Sequence, residues 1–300
     1  MISFRSHVVS LLAVFLALAV GVVLGGGPLS EVGRGATADD VTAAQHEASQ
    51  ARTEAKQATA FADSFALTTA GRTLAHGLDG QTVVVLAMPG ADDDQVAAVT
   101  GLVDTAGGTV VGRYQLQASL FDADQGSLVD TLGSQLTDLY QKDAPSLTTY
   151  PRIGRLLGTG VSTSSVAGND FDSGAVAIRE SLKGADLVTE IGDPVRRGAL
   201  VLVVLGAEPA TDSGVDMMLS GVAAGLAQVA RGVVVAGSTG SAQSGLLAAL
   251  RGADAKDVST ADSLETAPGQ VGAVLALIAA SGGSVGSYGA SGSDGAVALR

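Results

Sequence analysis

Thr82–Met88 reads TVVVLAM, Ala199–Leu205 reads ALVLVVL and Gly232–Ala236 reads GVVVA. None of these runs alternates apolar with polar residues, so both faces of each strand must be covered, which is the pattern of a parallel sheet held between two helical layers. The segments around them alternate accordingly. Asp92–Ala106 is expected as a helix, Gly108–Leu116 as a strand and Ser127–Gln141 as a helix, a βαβα unit. After a poorly patterned stretch, Lys142–Asp172, with a short helix expected at Arg152–Leu157, come helix Gly174–Lys183 and strand Leu187–Ile191. Helix Gly214–Ala230, helix Ala242–Arg251, a short strand Asp257–Ser259 and helix Gly269–Ala280 complete the pattern. The fold class is therefore α/β, an open, mostly parallel three-layer domain over residues 78–290, with 291–300 expected as a frayed tail.

Upstream of this domain the chain changes character. From Ala38 to Ala70 there is no proline or glycine, and Val41, Ala44, Ala48, Ala51, Ala55, Ala58, Ala62 and Phe65 recur at alternating steps of three and four. That is the a/d seam of a coiled coil, in a rod of about 50 Å that Gly71 is expected to end. The seam predicts a parallel homodimer; a lone solvated helix is the alternative, because alanine buries little area. Further upstream, Val8–Leu24 (VVSLLAVFLALAVGVVL) is free of charge and with Gly25 and Gly26 spans ~30 Å, the thickness of a bilayer core. Arg5 and His7 precede it, so the positive-inside rule places the N-terminus in the cytoplasm and everything after about residue 27 outside. A cleaved secretory signal is the alternative, and it too exports the rest. The expected organisation is residues 1–27 as cytoplasmic N-terminus and transmembrane helix, 28–77 as linker and rod, then the extracytoplasmic domain and tail.

Composition narrows the function classes. The chain has 300 residues, 46% of them apolar, and a net charge of −13. Nucleic acid and anionic lipid attract basic surfaces and are poor partners for it. With 3% aromatic residues a stacking groove is hard to build, and with no cysteine there is no disulfide, thiolate nucleophile or thiolate metal site.

Open α/β folds bind ligands in the turns at the carboxyl ends of their strands. Pro89-Gly90-Ala91-Asp92-Asp93-Asp94 puts acid where a phosphate would lie. It reads as a helix cap with acidic residues at the positive helix end, or alternatively as a divalent-cation site. Gly237–Gly245 (GSTGSAQSG) resembles a phosphate loop, yet lacks both the P-loop Lys-Ser/Thr and the G-x-G-x-x-G spacing. His46 and His76 lie on and near the rod, leaving the sheet domain without a histidine base. Met88 is in a strand, and Met217-Met218 are helical neighbours that point about 100° apart and read as helix core. No catalytic, cofactor-binding or metal-binding residue is assigned, and no enzymatic activity is expected.

The opening residues carry a resemblance. Met1-Ile2-Ser3, Arg5, His7, Ser10-Leu11, Ala13–Ala19, Gly21 and Leu24-Gly25, with Pro89-Gly90-Ala91 before the aspartates and Gly286-Ser287-Tyr288-Gly289 near the end, are similar to the actinobacterial copper transporter (MctB) family. The resemblance implies a membrane-anchored cell-envelope protein involved in copper transport or resistance. Copper is then an implied ligand for which the sequence shows no converging donors. A related SteB-like branch implies an alternative, a coiled-coil adaptor in cell division and cell separation that binds a cytosolic partner and a peptidoglycan hydrolase.

Overall fold

A computed structural model describes residues 38–141, 145–206, 214–253 and 257–298. The expected membrane segment Val8–Leu24 and the linker to residue 37 lie outside the described residues. No helix among the described residues is long and apolar enough to cross a membrane. The chain divides into two compact units, Met1–Ala60 and Phe61–Arg300. In the first, the described residues are helical, part of α1 (Ala38–Thr73), and are exposed from 45 to 60. Gly71 does not end this helix. The chain turns only after Leu74, whose amide still bonds the Ala70 carbonyl at 2.8 Å, and His76 then adopts a left-handed φ of 61°.

The second unit is built on a seven-stranded sheet of order β3-β2-β1-β4-β5-β6-β7. Its strands are β1 (Thr82–Ala87), β2 (Thr109–Leu116), β3 (Val188–Glu190), β4 (Leu200–Val204), β5 (Gly232–Ala236), β6 (Val258–Ala261) and β7 (Ser287–Tyr288). All pairs are parallel except β2 with β3. The three runs quoted first are its centre, and their alternate residues enter two separate cores. Val84, Leu86, Val201, Val203, Val233 and Val235 face one, and Val83, Val85, Leu200, Leu202 and Val234 face the other. The second core is closed by the end of α1, by α2 (Asp93–Thr105) and by α9 (Ala267–Ser281).

The first core lies under α3 (Gly126–Tyr140), α4 (Thr149–Val161), α5 (Ser173–Gly184), α6 (Val215–Ala227) and the short α7 (Thr239–Ser244) and α8 (Leu246–Gly252). Here the expectation was too modest. The stretch read as a short helix at Arg152–Leu157 is a 13-residue buried helix. Its glycines obscured it in the sequence, yet they are what seats it on α6. A Cβ on Gly154 would lie 2.7 Å from the Val222 Cα, and one on Gly221 would lie 2.7 Å from the Tyr150 Cβ. Pro151 falls in the first turn, where its missing N–H is no loss. The helix expected over Ala242–Arg251 is likewise two helices, because Gly245 is extended (φ −107°, ψ −152°) between them.

Of the tail expected to fray, residues 291–298 are packed against the sheet unit. β6 begins one residue later and runs two residues further than expected, and β7 pairs with it in parallel. The chain then folds back: the Asp294 amide donates to the Ser287 carbonyl at 2.9 Å, and Ala298 is buried. The buried Asp262 carboxylate accepts from the Ala290 amide (2.6 Å), from the Ser291 amide (3.1 Å) and hydroxyl (2.7 Å), and from Arg251 Nη1 (3.0 Å). Arg251 Nη2 also donates to the Tyr288 carbonyl at 2.7 Å. Gly289, at φ +116°, stands against that carboxylate where a side chain would collide with it. Burial alone would raise the Asp262 pKa, but the bonds from Ser263, Ser291 and Arg251 outweigh it and hold the group below the usual carboxylate range.

Three substitutions test these packings. Gly154→Ala should destabilise the protein by about 1–3 kcal/mol, because the new methyl meets backbone that cannot swing aside. Gly101→Ala in α2, with nothing within 4 Å, should instead stabilise by about 0.5–1 kcal/mol through helix propensity. Denaturant unfolding reads both, and equal effects would refute the close packing. Asp262→Asn should cost about 3 kcal/mol by stranding Arg251 and speed hydrogen exchange in 287–298. Because the folded pKa is depressed, the wild-type contribution is present above the unfolded value of 3.8 and lost as pH falls through the lower folded one. Unchanged exchange in the variant would show that the tail is held by other means.

Candidate functional site

The place to look for a ligand in an open parallel sheet is the crevice where strand order reverses. Here that is between β1 and β4, since the chain leaves β1 toward β2 on one side and β4 toward β5 on the other. Among the described residues the chain itself closes on this crevice. The turn after β1 lies directly on Gly206, where an added Cβ would be 2.6 Å from the Ala91 amide nitrogen. The flanking strands are laced to their ends, with Met88 N–H to Val204 O and Leu205 N–H to Ala236 O both at 2.8 Å.

Helix N-termini could offer a second kind of anion site, but acidic side chains of the chain serve several of them. Asp92 accepts from the Gln95 amide at 3.0 Å, with Asp93 and Asp94 in the first turn of α2. This is the capping arrangement, with negative charge at the positive end of the helix. Asp172 caps α5 through the Ala175 amide at 2.8 Å. The phosphate-loop lookalike is occupied in the same way. Ser238 caps α7, and both Glu265 oxygens lie 3.1 Å from the Thr239 amide, where an anion would have to sit. Asp63 of α1 reaches the Ala267 amide at the start of α9 at 2.9 Å.

Metal donors do not converge. Among the described residues no group of three or more His, Cys, Asp or Glu side chains is placed to hold an ion. His46 is exposed on α1, and His76 is exposed with its Nδ1 2.8 Å from Asp79 Oδ2. Met88 and Met218 are buried as read, whereas Met217 is 74% exposed and is not helix core. Adjacent helical positions diverge by about 100°, so only one of the pair can face inward. An open cleft of about 300 Å³ lies elsewhere, at the start of β2, between Thr109–Arg113 and Ile191–Val195.

Two polar clusters escaped the sequence reading. One is Arg251–Asp262 at the end of β6. The other joins Arg179 of α5, Glu190 of β3 and Tyr114 of β2, with Arg179 Nη2 2.8 Å from Glu190 Oε1 and its guanidinium 3.9 Å from the Phe171 ring centroid. Their members are separated along the chain and share no spacing motif; Tyr114 and Glu190 are register partners of β2 and β3, and packing of α5 and α8 on the sheet brings Arg179 and Arg251 to them.

Comparison with known proteins gives the chain its relatives. Residues 1–299 match the family described as "Copper transport outer membrane protein, MctB". The proteins named Copper transporter MctB from Mycobacterium tuberculosis and Mycobacterium bovis are 30% identical over 287 residues, covering 90% of each chain. The protein of the same name from Mycobacterium leprae is 32% identical over 293 residues, again with 90% coverage of both. With a family match over residues 1–299 and relatives at 30–32% identity covering 90% of each chain, the chain belongs to the MctB copper transport family.

Proposed function

We propose that the chain serves copper transport in the cell envelope as a membrane-anchored protein that does not itself form the pore or bind copper tightly. The observation that carries the first half is the family match over residues 1–299, with relatives named as copper transporters. A SteB-like adaptor role in cell separation finds no support in those relatives. The second half rests on donor chemistry. Tight copper sites gather thiolate, thioether or imidazole ligands, and this chain has no cysteine, four methionines and three histidines, with Met88 and Met218 buried and His46 and His76 exposed. On this reading Val8–Leu24 crosses the membrane once with the N-terminus inside, and the α/β unit acts outside, with an envelope partner supplying the path for the ion.

We further read α1 as the arm of a parallel homodimer. Its alanines at 48, 51, 55 and 58 are exposed in the single chain, and Phe61 and Phe65, 73% and 60% exposed, stack on one another with ring centroids 6.3 Å apart. Ala66 and Ala70, which pack on the sheet unit, lie roughly 100–140° around the helix from Phe65 at 100° per residue. The seam therefore keeps a free face at its Phe65 end, and a second copy presenting the same seam covers it.

Cells lacking the chain should hold more copper and tolerate less, with both restored by the full chain; unchanged copper content would remove the copper role. Protease added to intact cells should digest the α/β unit, and survival of that unit until lysis would reverse the topology. Calorimetry of the fragment from about Thr37 onward should show no stoichiometric copper(I) or copper(II) site of micromolar affinity or better. Such a site would revive direct binding. Ala51→Glu with Ala55→Glu should turn a dimeric fragment into a monomer in sedimentation, by burying like charges on the seam. An unchanged dimer would move the association to the sheet unit.

A further inference from the structure

Beneath the antiparallel edge strand β3 is a cavity of about 10 Å³, walled by Leu157, Val161 and Leu182 and lined on its polar side by Tyr114, Arg179 and Glu190. Two of these lining residues carry a donor that lacks a partner among the described residues: the hydroxyl of Tyr114, a residue 1% exposed, and Arg179 Nη1. The rest of the cluster is committed. Glu190 Oε1 takes Arg179 Nε at 2.9 Å and Nη2 at 2.8 Å, and Oε2 takes Lys183 Nζ at 3.1 Å. The Tyr114 hydroxyl is pushed up to about 12 by burial, which outweighs Arg179 lowering it and is joined by Glu190 raising it, so it remains a protonated donor at neutral pH.

We infer that this cavity is the site of one ordered water molecule that accepts from Tyr114 Oη and Arg179 Nη1 and donates back to Glu190. Size and polarity both select water. A space of ~10–15 Å³ holds one water-sized probe, and a buried water needs two to four polar partners; Tyr114, Arg179, Lys183 and Glu190 line this cavity. A halide is larger and would meet the Glu190 carboxylate. Left without the water, each buried donor would bear its full desolvation penalty. With it, the guanidinium of α5, the hydroxyl of β2 and the carboxylate of β3 become one network that holds the short edge strand to the sheet.

The test is a sign. If the hydroxyl is bridged, Tyr114→Phe in the full chain, unfolded by denaturant in detergent micelles, should lower the folding equilibrium constant about fivefold, the worth of one hydrogen bond. If the hydroxyl is unpaired, removing it should raise the constant, and that result or no change overturns the proposal. A structure of the wild-type chain at a resolution that shows ordered solvent should carry density within hydrogen-bond distance of both Tyr114 Oη and Arg179 Nη1. An anomalous peak there after a bromide soak, or no density, would also overturn it.

Discussion

The fold depends on one constraint: β1, β4 and β5 are apolar on both faces. Each central valine or leucine that points up is matched by a neighbour that points down, so the sheet is stable only between two complete helical layers. At ~25 cal/mol per Å² of apolar surface removed from water, that double burial is the dominant favourable contribution to folding. One layer is closed by α1, α2 and α9. The other depends on α4 lying almost backbone to backbone on α6, a closeness that Gly154, Gly221 and Gly225 permit. Side chains at those positions would lift α4 and open the core beneath it.

The same economy of space governs the carboxyl edge of the sheet. A parallel α/β sheet collects helix N-termini along that edge, and their unpaired amides and positive dipoles attract anions. In this protein carboxylates from the chain itself answer several of them: Asp92 at α2, Glu265 at α7 and Asp63 at α9. Gly206 lets the turn after β1 close the strand-order reversal, and Asp262 draws the C-terminal tail across the end of β6. The acidic composition thus has a structural use, and the fold resembles nucleotide-binding folds in topology while its usual site is filled from within.

Membership of a copper transport family and the scarcity of copper donors in the chain are compatible once transport is treated as the property of an assembly. A copper ion moves between sites through ligand exchange among soft or imidazole donors. The sheet unit is poor in those and rich in oxygen donors already engaged in capping. On the proposed reading it contributes a stable α/β unit, positioned by the membrane segment and met by a partner or a second copy.

How much was legible depended on whether the signal was local. The apolar runs of β1, β4 and β5, the polar-apolar period of α2 and α3, and the Asp92 cap are written within a few residues, because hydrophobic period and capping chemistry act at that range. The opening segment and the turn motifs likewise carried the family without any coordinates. What lay beyond reach was everything settled by contact between distant segments. Glycines that mark turns in isolation became the helix-packing surface of α4; Ser291, read as part of a frayed end, became the partner of Asp262; Tyr114 and Arg179 met only because β2 and α5 are neighbours in space. The sequence by itself determined the fold class and the family, because both rest on local pattern and residue identity. Tertiary structure alone decided which glycines are packed, which carboxylates are engaged and where the tail lies, because those depend on the close approach of chain segments far apart in sequence.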